Sequence, residues 1–256
     1  MRTNGPKRTI GEGGVSLGTM VFEFATPGIG RIAAAAGAEF VVYDMEHTGW
    51  SIETIRQLMA TSRAADLVPM VRVPATEYHL LARPLDVGAM GLMVPMVESV
   101  AQAETIVRSS KYPPQGRRGA AFVVAHDDYL GGDIVGKMES ANAEILLLAQ
   151  IETAAGVEAA DGIAAVEGID VLWIGHFDLS ASLGVPGQVD HPTYRHAVER
   201  VLEACRRHNK TPGIMAADVE TSAACLEQGF RMVAYGGDLW LYGRALKEGL
   251  DVLRNR

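Results

Sequence analysis

Several apolar runs in this chain stop abruptly at groups that could do chemistry. Residues 144–152, Glu144-Ile-Leu-Leu-Leu-Ala-Gln150-Ile151-Glu152, end in an amide and a carboxylate. Phe40-Val41-Val42-Tyr43 runs into Asp44-Met45-Glu46-His47, and Val68-Pro69-Met70-Val71 runs into Arg72. Val171-Leu172-Trp173-Ile174 runs into Gly175-His176-Phe177-Asp178, and Glu23 follows a further run. In this set the carboxylates outnumber the one guanidinium. Carboxylates crowded into one mouth repel each other unless they are protonated or share a cation. Glu152 and Asp178 could supply two oxygens to one divalent ion. Hard oxygen donors and few histidines favour Mg or Mn over Zn. The remaining positions would go to water and a chelating substrate. Glu152 alone has a plainer alternative, as a cap on a helix opening at Thr153.

His47 directly follows a strand end and stands among acids. Histidine titrates near neutrality and suits work as a general base. Asp44 or Asp86, in Leu85-Asp86-Val87-Gly88, could hold its other nitrogen and raise its basicity. Arg72 faces either a structural ion pair or a developing enolate or alkoxide oxygen. The segment Gly175-His176-Phe177-Asp178-Leu179-Ser180 opens a helix, where free backbone N–H groups could take a carboxylate. Beside a metal, the natural ligand is a 2-oxo acid.

What must position these groups is a set of parallel strands. Continuous apolar runs suit strands covered on both faces. Strand candidates fall at 15–22, 40–46, 68–73, 91–97, 144–152, 171–177, 211–216 and 230–236, with mostly helical segments between them. Eight strand–helix units of ~30 residues close into a barrel with its site at the C-terminal strand ends. The expectation is therefore an α/β fold, a (β/α)8 barrel spanning residues 1–256 as one domain. An open doubly wound sheet would carry a glycine-rich fingerprint after its first strand, whereas Gly11-Glu-Gly-Gly14 precedes it. Ser51 is a plausible N-cap, and Pro192 suits a first helical turn. Residues 238–253 carry an apolar stripe at helical spacing. Residues 110–143 break the alternation; a connection that long is often functional and is expected at the C-terminal mouth or at a subunit contact.

The bulk numbers limit the partners. The 256 residues are 48% hydrophobic and carry a net charge of -8. There is no basic surplus to replace counterions on a nucleic acid. No apolar stretch approaches the ~20 residues of a membrane span, and the N-terminus lacks a signal core. Cys205 and Cys225 have no ligand spacing and read as packed residues of a reducing compartment, the cytoplasm.

These residues resemble the HpcH/HpaI family of metal-dependent pyruvate aldolases. The matching motifs are Asp44-x-Glu46-His47, Arg72-Val-Pro74, Leu85-Asp86-x-Gly88, Val94-Pro95-Met96-Val97, Tyr112-Pro113-Pro114-x-Gly116-x-Arg118-Gly119, Gln150-Ile151-Glu152 and Gly175-x-x-Asp178-Leu179-Ser180. They run in the family's order over most of the chain. The resemblance implies that Glu152 and Asp178 hold one divalent ion per subunit, Mg or Mn, with Co or Zn as alternatives. It implies that His47 is the base, supported by Asp86 and Asp44, and that Arg72 stabilises the enolate oxygen. Gln150 and the backbone at Phe177 and Asp178 would bind the 2-oxo acid, Glu46 would orient metal-bound water, and Met215 would line the aldehyde end. Family members are typically hexamers, trimers of dimers that exchange C-terminal helices. Two departures border the pocket: His176 stands where the family usually has proline, and the first strand reads Met20-Val21-Phe22-Glu23-Phe24 where tryptophan is common. His176 could hydrogen-bond the extra hydroxyl of hydroxypyruvate, or simply reshape its loop.

The resulting expectation is a lyase that reversibly cleaves 4-hydroxy-2-oxo acids to a pyruvate-type enolate and an aldehyde. No lysine sits at a strand end, which disfavours a Schiff-base route. Oxaloacetate decarboxylation or citrate-lyase-like acyl-CoA cleavage could use the same two carboxylates. A non-catalytic 2-oxo acid sensor would have no need of both His47 and Arg72.

Overall fold

The computed structural model describes residues 2–256. Eight strands alternate with helices: β1 (Ser16–Val21), β2 (Phe40–Asp44), β3 (Val68–Arg72), β4 (Gly91–Val94), β5 (Leu146–Ile151), β6 (Val171–Ile174), β7 (Thr211–Ala216) and β8 (Met232–Gly237). The helices are α1 (Gly5–Gly11), α2 (Ile29–Ala35), α3 (Ile52–Ser62), α4 (Tyr78–Asp86), α5 (Val100–Ser110), α6 (Ile134–Glu144), α7 (Ala154–Ala165), α8 (His176–Ser182), α9 (Pro192–Arg207), α10 (Val219–Gln228) and α11 (Asp238–Arg254). The strands pair in sequence order, all parallel, and β8 closes on β1. This is the (β/α)8 barrel anticipated from the alternation.

Period-two alternation divides each strand between two cores. Phe40, Val42, Met70, Met93, Leu148, Val171, Trp173 and Met232 fill the barrel interior. Val41, Tyr43, Val71, Leu92, Leu147, Leu172 and Val233 face outward and bury the apolar stripes of the helices. Gly18 and Gly213 leave room for this filling, since a Cβ at either position would run into the Phe40 or Trp173 ring.

Helix signals hold where they were expected. Ser51 Oγ accepts from the Thr54 amide at 3.3 Å, and His191 caps the helix opened by Pro192. Both cysteines are free and buried. The polar N-terminus, however, forms α1. Asn4 caps it, Lys7 pairs with Asp170 at 3.0 Å, and Ile10 inserts beneath the barrel core.

The long excursion also differs from one of its expected positions. It follows α5 and leads through α6 to the start of β5, so it lies at the N-terminal rim and not at the mouth. Lys111 there donates to the carbonyl of Ile145, and Arg63 at the end of α3 pairs with Asp128 at 2.9 Å. A helix-to-strand connection must run along this rim, because helices return the chain to where the next strand begins.

Candidate active site

At the C-terminal ends of the strands lies a cavity of about 750 Å³. Its wall includes His47, Arg72, Gln150, His176, Phe177, Asp178 and Met215, contributed from five separate strand ends. Asp44, Glu46 and Glu152 stand behind that wall. Asp86 does not reach it: the residue ends α4, and its carboxylate pairs with buried Arg118 at 2.6 Å. Within one chain, therefore, Asp86 is not brought to His47.

Asp44 is the hub of the β2 end. It is fully buried and accepts the backbone N–H groups of Glu46 and His47 at 3.1 and 3.0 Å. Its Oδ1 also takes the Arg72 Nε–H at 2.6 Å. It thus holds the backbone of His47, whereas the His47 ring lies nearest Glu46, with Nε2 at 3.6 Å from Oε2. Glu46 Oε2 is also 3.3 Å from Arg72 Nε. Both acids engage Arg72 through Nε, which leaves its terminal amino groups for the cavity.

At the β5 end, Gln150 Nε2 donates to Glu152 Oε2, and Glu152 Oε1 accepts the Met96 amide at 2.7 Å. Thr153 caps α7 with its own hydroxyl, accepting from the Gly156 amide at 3.0 Å. The alternative of Glu152 as a helix cap therefore falls away. Gly175, opening the β6 end, lies against this pair. A Cβ there would meet the Glu152 carboxylate and the Gln150 amide. Asp178 follows in the first turn of α8.

The carboxylates are poorly compensated. Burial pushes the Glu46 carboxyl up to about 7, with Glu152, Asp44 and Asp178 adding repulsion and Arg72 opposing it. Burial also raises the Glu152 carboxyl, aided by the charge of Asp178 and resisted by Gln150 and Met96. Gln150 Oε1 is buried without a hydrogen-bond donor, and Glu46 Oε2 has its ion pair with Arg72 Nε but no hydrogen bond. Such a set fits a divalent cation: oxygen donors, mutually repelling, with an orphaned acceptor nearby. Among the described residues no group of three or more His, Cys, Asp or Glu converges as a complete metal site. The chain would then supply Glu152 and Asp178 alone.

Some of the wall was not singled out from the sequence. Trp173 points inward from β6, a position that alternation against Leu172 and Ile174 could have revealed. Leu239 and Trp240 also line the cavity, next to Phe22 of the first-strand segment that was expected to border it. Asp238 secures Phe22, since its buried carboxylate accepts the amides of Phe22, Glu23 and Phe24 at 2.9, 3.0 and 2.7 Å. The signal for Asp238 was its place just after an eighth strand, where polar residues of a barrel gather at the mouth.

Comparison with known proteins agrees with this geometry. The model of the HpcH/HpaI aldolase/citrate lyase family matches residues 19–245. A hydroxypyruvate/pyruvate aldolase of Roseobacter denitrificans is 34% identical over 91% of this chain and 90% of its own length. A 5-keto-4-deoxy-D-glucarate aldolase of Shigella boydii is 36% identical over 88% of this chain and 86% of its own. The crystal structure of an HpcH/HpaI aldolase from Desulfitobacterium hafniense superposes with a TM-score of 0.93, at 31% identity, over 98% of this chain and 96% of that one. With the family model matched over most of its length and relatives at 34% and 36% identity over 91% and 88% of it, the chain belongs to the HpcH/HpaI aldolase/citrate lyase family.

Proposed function

We infer that this protein is a carbon–carbon lyase that joins a pyruvate-type 2-oxo acid to an aldehyde, and reverses that step. The observation that carries the reading is a set of acids at one barrel mouth: Asp178 lines the cavity with Arg72 and His47, and the Glu46 and Glu152 carboxyls, both raised by burial, stand behind its wall. Such a group calls for a cation, and Mg or Mn held by Glu152 and Asp178 suits its oxygen donors. A divalent ion bound there would act as a Lewis acid on the keto group and favour enolisation.

The chain's own residues divide the remaining work. His47, 58% exposed in its side chain, is free to reach a proton in the cavity. Arg72 turns its terminal amino groups toward the oxygen that becomes negative as the enolate forms. Gln150 and the backbone of Phe177 and Asp178 take the carboxylate end of the 2-oxo acid. Met215 faces the aldehyde. Glu46, between His47 and Arg72, orders polar groups at that edge, and Asp44 fixes the turn that carries it. Asp86 could support a histidine only across a subunit contact, since within its own chain it pairs with Arg118. His176, on the wall beside Phe177 with ring centroids 4.2 Å apart, gives hydroxypyruvate a hydrogen-bonding partner alongside pyruvate.

The assembly is a homo-oligomer, a hexamer built from dimers. Support comes from α11, whose Tyr242, Leu246, Leu250, Val252 and Leu253 are exposed on the isolated chain. No described helix is long and apolar enough to cross a membrane, and the two free cysteines accord with cytoplasmic residence.

Chelation tests the reaction. Protein stripped with EDTA and shown to be metal-free should lose cleavage of a 4-hydroxy-2-oxo acid and regain it with Mg or Mn. An undiminished rate in the stripped protein would sink the metal–enolate reading.

A further inference from the structure

We propose that the aldehyde partner is an uncharged molecule with a flat apolar body, an aromatic aldehyde being the fitting class, and that aldehydes bearing a second carboxylate are disfavoured. This rests on the aldol reading above and specifies its unassigned half. A three-carbon 2-oxo acid fills only a small part of a cavity of about 750 Å³. The rest is walled by Met20, Phe22, Trp173, Met215, Leu239 and Trp240. Leu239 and Trp240 are 37% and 49% exposed. Both also line the cavity, and apolar side chains on the wall of a concave site are the surface that a ligand's apolar body covers.

The wall begins at the reacting centre. The Arg72 guanidinium carbon lies 5.5 Å from the Phe22 ring centre. Phe22 in turn meets Trp240 edge-on, with ring centroids 4.9 Å apart at 64°. An aldehyde whose carbonyl stands near Arg72 therefore extends its body along Phe22 toward Trp240. This wall is held in advance. Asp238 fastens the amides of Phe22, Glu23 and Phe24, and Trp240 packs where a side chain at Gly237 would otherwise lie. A rigid aromatic surface costs little ordering when a flat ligand binds.

Charge selects in the same direction. Among the described residues lining the cavity, Arg72 is the sole lysine or arginine. Its Nε is already engaged by Asp44 and Glu46 at 2.6 and 3.3 Å. Glu23 adds negative charge to the wall, whereas the charge of Asp178 is taken up by the cation that it would hold with Glu152. A second carboxylate on the aldehyde would meet repulsion and no dedicated cation, which is discrimination by a mismatched charge. In the reaction itself, the methyl carbon of the 2-oxo acid loses a proton and bonds to the aldehyde carbon. The resulting alkoxide takes up a proton, and no oxidant or co-reactant is consumed.

The test uses the Mg-loaded enzyme with pyruvate and three aldehydes: benzaldehyde, acetaldehyde and succinic semialdehyde. Benzaldehyde should exceed succinic semialdehyde in kcat/KM by about tenfold or more. Trp240→Ala should lower the benzaldehyde-to-acetaldehyde ratio by about tenfold, and Trp240→Phe should restore most of it. Leu239→Arg should raise the rate with succinic semialdehyde. Equal or better use of the carboxylated aldehyde by the wild type, or a ratio unmoved in Trp240→Ala, overturns the proposal. Exchange of the pyruvate methyl protons with deuterium, followed by NMR, separates the two levels. Exchange with acetaldehyde condensation but no benzaldehyde product defeats this proposal alone. No exchange and no condensation defeats the aldol reading and this proposal with it.

Discussion

At the scale of single residues, the informative one is Arg72. Its position after a buried run was legible in the sequence, but its partners were not. Asp44-x-Glu46-His47 names four neighbouring positions, and only the folded turn decides that Asp44 grips two backbone amides and Arg72 Nε instead of the His47 ring. The same turn puts Glu46 beside His47 at 3.6 Å. Spacing alone cannot separate a side chain that contacts a ring from one that contacts the backbone of the same residue. Tethering through Nε makes a specific prediction. A lysine has one compact ammonium and cannot bind Asp44 and also present two amino groups to an oxyanion. Arg72→Lys should therefore lower kcat by roughly a hundredfold or more, the usual cost of a lost oxyanion donor. Pyruvate methyl exchange should fall with it, while far-UV circular dichroism stays unchanged. A variant with near-normal kcat would return Arg72 to a purely structural ion pair.

At the scale of elements, the strands were the legible part, because continuous apolar runs bounded by polar groups have few other uses in an α/β chain. Short helices were harder. α1 contains Gly5, Pro6 and Gly11, poor material for an autonomous helix. It is stabilised by tertiary ties, with Asn4 bonded to the carbonyls of Met90 and Glu144, and Ile10 buried under the barrel. Asp178 reads from sequence as following the sixth strand in a segment that opens a helix, and it sits in the opening turn of α8. α11 shows the opposite gap: its apolar stripe was evident, but what the stripe packs on was not. Only Asp238 of this helix is buried within the chain, and Leu246 and Leu250 are 46% and 39% exposed. Fully burying a leucine is worth ~1.5–3 kcal/mol, and covering the part still exposed here recovers roughly half of that per residue, so a second copy of the chain gains by covering the stripe. Light scattering coupled to size exclusion should find an oligomer for the wild type. The paired substitution Leu246→Glu with Leu250→Glu should shift it to smaller species that remain folded. A monomeric wild type, or an undisturbed oligomer in the variant, would remove α11 from the interface.

At the scale of the whole molecule, the barrel separates two kinds of charge. The mouth gathers acids for chemistry, and the base ties helices and strands together with lysines. Lys111 is 2% exposed and donates to the carbonyls of Asn142 and Ile145. Lys7 donates to the same Ile145 carbonyl at 2.7 Å and pairs with Asp170 at 3.0 Å. Burial brings the Lys111 amine down to about 7; the charges of Lys7 and Arg118 act in the same sense, and Asp170 opposes them. In the unfolded chain a lysine titrates near ~10.4. Between these two values the folded chain holds one proton fewer than the unfolded chain. The unfolded state then binds more protons, so stability must rise with pH through that window. The cost of the buried amine is thus complete below about 7 and has faded by about 10.4. Lys111→Met removes this titration while keeping an apolar stem of similar reach. Urea unfolding of both proteins, at one fixed protein concentration, should show the wild type gaining on the variant between pH 7 and pH 9. The gain should be on the order of 1 kcal/mol per pH unit. Other groups titrate alike in the two proteins and cancel in the difference. A difference that stays flat with pH would mean that Lys111 keeps its proton at the base of the barrel, with the Asn142 and Ile145 carbonyls compensating its burial.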